Sequence, residues 1–306
     1  MTTETTIDLF PLIGETVQAL STPYADAMRQ ATEQAGMADR DLWWLLAVQG
    51  SAPEASTLDQ LQRLVPYTAR SVVAAQLAGA VERGLLSIDA AGTYRLSDAG
   101  RRGLKNTFAA VHTALADYTP LPADDMRHIA ELLERIVDAT VAAPEPAEKP
   151  DLLSSRLTDP GANGSAAVRI DQYATDLLHF RDDVHQAAWR PLDVSGPAWE
   201  IFTLIWRGEA NTLEALEQRL ERRGHTPEEL SQLLEQLAER GWIAGTAGAY
   251  TPTAQGRQLR EQAEETTNRL FYAPWSRLSA SEIEALRQLL IRLRDMSREP
   301  VQEQTG

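Results

Sequence analysis

Hydrophobic and polar positions follow a fixed order of periods along the first half of the chain. Apolar residues at helical spacing around Trp43, Leu45 and Leu46 predict a helix. Thr57 and Leu58 then open a short helix, with Thr57 as N-cap and Asp59 in the first turn, where an acid suits the positive end of the helix dipole. After a turn a longer helix is predicted over 68–83, stopped by Gly84. Two short strands follow, 85–88 and 93–96, joined by the small-residue loop Asp89-Ala90-Ala91-Gly92.

The same order returns downstream. Trp199, Phe202, Leu204 and Ile205 mark a helix, Thr212 caps a short one, and a third is predicted over 226–240. Thr226-Pro227-Glu228-Glu229 has capping-box spacing with proline at the first helical position, and Gly241 ends the helix. Strands at 242–244 and 249–251 flank Gly245-Thr246-Ala247-Gly248. The two stretches align block by block. Trp44-Leu45-Leu46 falls on Trp199-Glu200-Ile201, Thr57 to Leu61 on Thr212 to Leu216, and Val81 to Leu86 on Ala238 to Ile243. Tyr94 to Arg101 falls on Tyr250 to Arg257, and Leu121 to Asp125 on Leu278 to Glu282. All five blocks keep an offset of 155 to 157 residues, the signature of an internal duplication.

Three helices and a hairpin, in this order, make a winged helix-turn-helix. The fold class expected is mainly α with small β-hairpin wings: two winged-helix domains joined by a helical, dimerisation-like layer. Further helices are expected at 7–35, with a break near Pro23, and at 168–189 ahead of the second unit. Residues 141–166 hold Pro144, Pro146, Pro150, Pro160, Gly161 and Gly164 and read as a linker, with a short helix near 152–157. The expected division is a first unit at 1–140, this linker, a second unit at 167–298 and a disordered tail at 299–306.

These residues resemble the MarR family of regulators. The resemblance rests on three patterns. One is the glycine-hydrophobic strand start, Arg83-Gly84-Leu85-Leu86 and Arg240-Gly241-Trp242-Ile243. The second is the wing exit, Tyr94-Arg95-Leu96-Ser97-Asp98-Ala99-Gly100-Arg101, and the third is the closing helix with Leu278, Leu286, Leu289, Leu290 and Leu293. Such regulators are homodimers whose outer helices form the dimer layer and whose winged helices read successive major grooves. The resemblance thus implies a cytoplasmic, non-enzymatic transcription regulator, acting as a monomeric pseudo-dimer. The pattern departs from the family at the wings: Asp89 and Arg95 are closely spaced, and residues 244–251 carry no charge.

Composition changes this picture in one respect. The net charge is −15, whereas phosphate binding calls for local positive charge. Its distribution is uneven: seven basic against four acidic residues over 59–105, six against seven over 211–260. The first unit is therefore the expected partner of duplex DNA. Its candidate contacts are Thr68, Arg70, Ser71 and Gln76 on the recognition helix, Arg95 on the wing, and Arg101, Arg102 and Lys105 beyond it. In the second unit Arg222, Arg223, His225 and Thr226 stand at the same place, but Glu228 and Glu229 repel phosphate there. The alternative reading is a degenerate winged-helix scaffold that senses a small ligand or a protein without binding DNA.

The chain has no cysteine, which excludes disulfides and thiolate chemistry. No stretch reaches membrane-span length, and the start lacks the basic and apolar regions of a secretion signal. No catalytic constellation, metal motif or phosphate-cradling loop stands out, and no cofactor is implied. One segment is rich in aromatic and ionisable groups: Tyr173, His179, Phe180, Arg181, His185 and Trp189. With Trp199 and Trp206 it is the candidate pocket for a small aromatic ligand of the kind MarR-like proteins take.

Overall fold

The computed structural model describes residues 9–51, 55–246 and 248–298; the expected tail and the first residues of the expected opening helix lie outside them. The chain opens with α1 (Leu9–Ser21), a 3₁₀ turn (Thr22–Tyr24) and α2 (Ala25–Gln34). Pro23 sits in that turn, breaking the long helix where it was expected to break. There follow α3 (Asp41–Gly50), β1 (Ala55–Thr57), α4 (Leu58–Leu64), α5 (Arg70–Glu82), β2 (Leu86–Ile88) and β3 (Thr93–Leu96). Two long helices, α6 (Asp98–Leu115) and α7 (Ala123–Ala142), and a short one, α8 (Pro150–Ser155), complete this half. The second half comprises α9 (Ala166–Trp189), α10 (Gly196–Arg207), α11 (Leu213–Leu220), α12 (Pro227–Glu239), β4 (Ile243–Thr246), β5 (Ala249–Pro252), α13 (Ala254–Tyr272) and α14 (Ala280–Arg298). The fold is mainly helical, with small antiparallel β-hairpins.

Local chemistry explains the element ends. Thr57 caps α4 reciprocally with Gln60, and Thr226 caps α12 with Glu229, each pair satisfying two helix-end N–H groups. The two wing exits share a tighter device. The Ser97 hydroxyl accepts from Gly100 N–H at 3.0 Å and donates to the Gly84 carbonyl at 2.6 Å. The Thr253 hydroxyl does the same with Gly256 and Gly241 at 3.0 and 2.6 Å. A Cβ on Gly100 would stand 2.3 Å from the Leu85 carbonyl oxygen, and one on Gly256 2.1 Å from that of Trp242. Only glycine lets the long helix start this close to the strand.

The sheet of the first hairpin has a third strand: β1 pairs with β3, Ala55 opposite Arg95, giving the order β1-β3-β2. The β4–β5 sheet has two strands.

Buried apolar side chains form three cores. The largest is a helical layer in which α9 packs against α7, α13 and α1, and α14 packs against α1. A second core joins α10, α11 and α12 to Trp242 and Ile243, and a third joins α3, α4 and α5 to Leu85, Leu86, Tyr94 and Leu96.

The proline- and glycine-rich stretch 141–166, expected to link the units, carries the short helix α8 and is packed against the layer. Leu152 is wholly buried. The Asp183 carboxylate of α9 accepts the Asp151 and Leu152 N–H groups at 3.1 and 2.9 Å, capping α8 from outside. Asp176, also wholly buried, accepts from Ser155 Oγ at 2.6 Å and Arg156 Nη1 at 2.9 Å.

Burial and the neighbouring Asp183 push Asp151 up to about 8, and burial pushes Asp183 up to about 7. Across neutral pH the folded chain therefore holds protons that the unfolded chain has released. Their contribution to stability is complete below the ordinary carboxylate range and is lost as pH rises through about 7 to 8. Tm is expected to fall between about pH 5 and about pH 9, and Asp151→Asn, which keeps an acceptor for Gln186, to flatten that fall. A variant with an unchanged slope would show that this pair does not set it.

Candidate nucleic-acid interface and a charged cavity

The sequence around α5 presents few polar side chains outward. Arg70, at its first position, is exposed and pairs with Asp59 at 2.6 Å, and Ser71 is exposed beside it. The rest of the outer face is small: Ala75 and Ala78 are exposed. Gln76 turns inward, where its Oε1 accepts from Trp44 Nε1 at 3.0 Å, so it holds the core instead of facing a groove. Arg95 points out from β3 between the buried Tyr94 and Leu96, as strand alternation dictates. Its neighbour Asp89 closes the hairpin loop, accepting from the Ala91 and Thr93 N–H groups at 2.9 and 3.0 Å. Those N–H groups hold the Asp89 carboxyl below its usual range, and Arg95 stands 3.9 Å away. Arg101, Arg102 and Lys105 are exposed along the first turns of α6.

The turn before α12 packs directly on the turn before α5. The Ala69 N–H donates to the Arg223 carbonyl at 2.8 Å. Gly224, at φ +75°, lies against Val72: a Cβ there would be 2.2 Å from Val72 Cγ2. The Arg223 guanidinium forks onto Glu200 at 2.6 and 3.0 Å, donates to Thr68 Oγ1 at 3.4 Å and lies over the Tyr67 ring. His225 Nε2 meets the Tyr67 carbonyl at 2.8 Å, and Gly196 abuts the Pro66 carbonyl. Of the residues expected at the second DNA surface, Arg223 and His225 are therefore built into this junction, and Thr226 is the α12 cap; Arg222 alone is exposed with no structural task in view. Thr68 of the first surface is in the junction too.

This contact limits what the two helices can do together. Ala69 precedes α5 directly, and Arg223 lies four residues ahead of Pro227. Chain reach puts the two helix starts within roughly 20 Å. Successive major grooves on one face of a duplex lie about 34 Å apart. The two helix starts thus lie closer together than that spacing.

Between α9, α10 and α13 lies a cavity of about 290 Å³. Arg181, Asp182 and His185 enter from α9, Trp199, Glu200, Thr203 and Arg207 from α10, and Arg260 and Glu264 from α13; Tyr67 and Phe10 complete the wall. Arg260 is wholly buried. Its Nε donates to Thr203 Oγ1 at 3.2 Å, its Nη1 pairs with Glu264 at 2.5 Å, and its plane lies between the rings of Trp199 and Trp206 at 5.0 and 4.8 Å. Among the described residues neither Nη1 nor Nη2 has a hydrogen-bond acceptor, the Glu264 contact being an ion pair. Arg181 pairs with the same Glu264 at 3.6 Å and donates to Asn268 at 2.8 Å. His185 accepts from Trp199 Nε1 at 3.2 Å, and burial first, then the charge of Arg260, pushes it down to about 4.

Of the aromatic and ionisable cluster read from the sequence, Arg181, His185 and Trp199 meet in this cavity, with Trp206 behind Arg260. Trp189 stacks on Trp199 and donates to the Tyr67 hydroxyl at 3.2 Å. His179 faces a separate cavity with Asp182, Gln186 and Arg223. Phe180 is wholly buried in the helical layer, and the Tyr173 hydroxyl donates to Glu134 at 3.0 Å, so neither lines the site. Successive residues of a helix spread around its axis, which disperses a cluster that looks compact in sequence. The residue that the sequence reading missed is Arg260, counted there only as surface charge. Its signal was present: 260 falls in phase with the buried Gly256, Ala263, Thr267 and Leu270 of α13, so an arginine stands on an apolar stripe.

Paired helices with a turn between them, each pair followed by a hairpin, define a helix-turn-helix protein. The chain belongs to a helix-turn-helix family, whose model matches residues 101–301, from α6 through α14. Helix-turn-helix proteins are as a class DNA-binding regulators, and the chain falls in that class. No curated protein and no solved structure matches the chain. Among the described residues no helix is long and apolar enough to cross a membrane.

Gly196→Ala tests the junction. Its Cβ would stand 2.2 Å from the Pro66 carbonyl oxygen and 2.6 Å from its carbon, both backbone atoms. Alanine suits a helix better than glycine, so any loss reports the contact. A lowered urea midpoint equivalent to about 1–3 kcal/mol is expected.

Proposed function

We propose that this chain is a transcription regulator made of two winged-helix units in one polypeptide, MarR-like in each unit, and that it grips duplex DNA through the first. The duplication reading is supported by paired details: Ser97 and Gly100 act as Thr253 and Gly256 do, and Gly84 and Gly241 both end their helices at positive φ. Arg83 and Arg240 also act alike. Arg83 forks onto Asp41 at the start of α3, and Arg240 reaches the Leu192 and Asp193 carbonyls just ahead of α10. The helical layer of α1, α7, α9, α13 and α14 then stands where a regulator of this kind has its dimer layer, joined within one chain.

One observation carries the choice of unit. Arg70, Ser71, Arg95, Arg101, Arg102 and Lys105 are all exposed around α5, its wing and the start of α6, whereas Arg223 and His225 are spent in the junction. The ion pairs of Arg70 and Arg95 with Asp59 and Asp89 are exposed and weak, and readily exchanged for phosphate. With the two helix starts held this close, a single, asymmetric site suits the chain better than two half-sites in successive grooves. With alanines over much of α5, base readout rests on Arg70 and Ser71, and phosphate contacts supply most of the affinity.

That alanine face is also what favours the second reading, a winged-helix scaffold that recognises a ligand or a protein and no DNA. Fluorescence anisotropy with duplex DNA from around the chain's own gene separates the two. Binding is expected to fall steeply with salt, and Arg101→Ala or Lys105→Ala to weaken all sequences alike and reduce the salt slope by about one each. Arg70→Ala is expected to change sequence preference, and Arg222→Ala to leave binding as it was. No binding even at low salt would favour the scaffold.

A further inference from the structure

We propose that the outward stripe of α12, Glu228, Glu235 and Glu239, repels DNA and so sets the side of α5 on which a bound duplex can extend. This rests on the reading above that the first unit grips DNA. It gives the second unit's helix a part in that grip, as a limit on the footprint.

The first argument is register. Val81 to Leu86 aligns with Ala238 to Ile243, and at that offset the buried Val73, Leu77 and Ala80 of α5 fall on the buried Leu230, Leu234 and Leu237 of α12. The two helices therefore sit on their cores in the same rotation. Their outward stripes correspond too. Ser71, Ala75, Ala78 and Glu82 fall on Glu228, Gln232, Glu235 and Glu239, and every one of these residues is exposed. Steps of four, three and four keep each set on one helix face. The face with which such a helix enters a groove is thus small and nearly neutral on α5, but acidic on α12.

The second argument is that this charge is not cancelled. Glu228, Glu235 and Glu239 form no ion pair among the described residues. Glu214, Glu221 and Glu229 are exposed around them and add charge of the same sign. Of the nearby cations, Arg219 pairs with Glu209, Arg223 with Glu200, and Arg240 donates to the Leu192 and Asp193 carbonyls. Arg222 is exposed, and His225 lies 3.6 Å from Glu229. Even with Arg219, Arg222 and Arg240 all counted against them, the six exposed carboxylates leave the face negative.

The third argument is closeness. The Ala69 to Arg223 backbone bond and the contact of Gly224 with Val72 hold the start of α12 beside that of α5. From Glu228 to Glu239 the stripe runs about 16 Å. A duplex seated on α5 and extending toward the second unit brings its phosphates onto that stripe. Exposed charges act over about 8 Å at physiological salt, so the repulsion falls on that flank and leaves the grip of α5 intact. Selectivity then comes from penalising one arrangement of the duplex, with no contact added to the other.

Fluorescence anisotropy on the full chain tests this with labelled random-sequence duplexes of about 12 and about 30 base pairs, roughly one and three helical turns. Each gain is taken against the unaltered chain on the same duplex. Glu228→Gln with Glu235→Gln is expected to tighten the longer duplex about fivefold or more at low salt and the shorter less than about twofold, with the gain lost at high salt. Glu235→Gln with Glu239→Gln, clear of the α12 cap, is expected to act the same way, so a weakened helix start cannot decide the result. Glu131→Gln with Asp138→Asn removes two exposed carboxylates from α7 and is expected to change neither duplex. No gain on the longer duplex, an equal gain on both lengths, or the same gain from the α7 pair overturns the proposal. Absence of binding by every variant at low salt removes the DNA-binding reading itself, and this proposal with it.

Discussion

The hydrogen bond from the Ala69 amide to the Arg223 carbonyl fixes more of this molecule's behaviour than any other single contact. It joins the two turns that lead into α5 and α12, and everything around it reinforces the same closeness. Gly224 has no side chain to hold Val72 away, Arg223 is clamped by Glu200, and His225 meets the Tyr67 carbonyl. A side-chain contact at this place could be exchanged for water at little cost. A buried backbone amide cannot be left unpaired so cheaply. The two helix starts are thus held together by the backbone itself, and any mode of DNA binding has to work within that spacing.

The long helix α9 carries the second constraint. It lies at the centre of the helical layer yet bears Asp176, Asp183, Gln172 and Gln186 among its buried residues. These are not errors of patterning. Each is matched by a donor or acceptor on the strap around α8: Ser155 and Arg156 for Asp176, backbone amides for Asp183, Asp151 for Gln186. A satisfied polar network specifies one register of strap on helix where an apolar contact would tolerate several. The next turn of the same helix sends Arg181 and His185 the other way, into the cavity. One element therefore positions both the strap and the ionic site.

What was legible in the sequence was what local chemistry decides. Thr57, Thr212 and Thr226 could be named as caps, and Gly84 and Gly241 as helix stops, because each acts within three or four residues of itself. The hairpins and the break at Pro23 follow for the same reason. What escaped was non-local. β1 is three residues long and is a strand only because β3 lies beside it. Arg223 reads as a cation for phosphate until Glu200, twenty-three positions away, is seen to hold it. Gln76 reads as a base contact until Trp44 takes its oxygen. The composition of 141–166 suggested a tether, and nothing local reveals that Asp176 and Asp183 wait to receive it.

The cavity and the first helix-turn-helix meet in one side chain. Tyr67 lines the cavity, accepts from Trp189, lies under Arg223 and stands three residues ahead of Arg70. Trp189 in turn stacks on Trp199, whose ring covers Arg260. Two aromatic contacts thus run from the ring over Arg260 to the loop that leads into α5. Arg223 is held by Glu200, and Glu200 lies on the cavity wall. The pair reinforces the backbone hydrogen bond that keeps the turns before α5 and α12 together. The cavity and the closeness of the two helices are therefore linked through a single carboxylate, Glu200, which faces both.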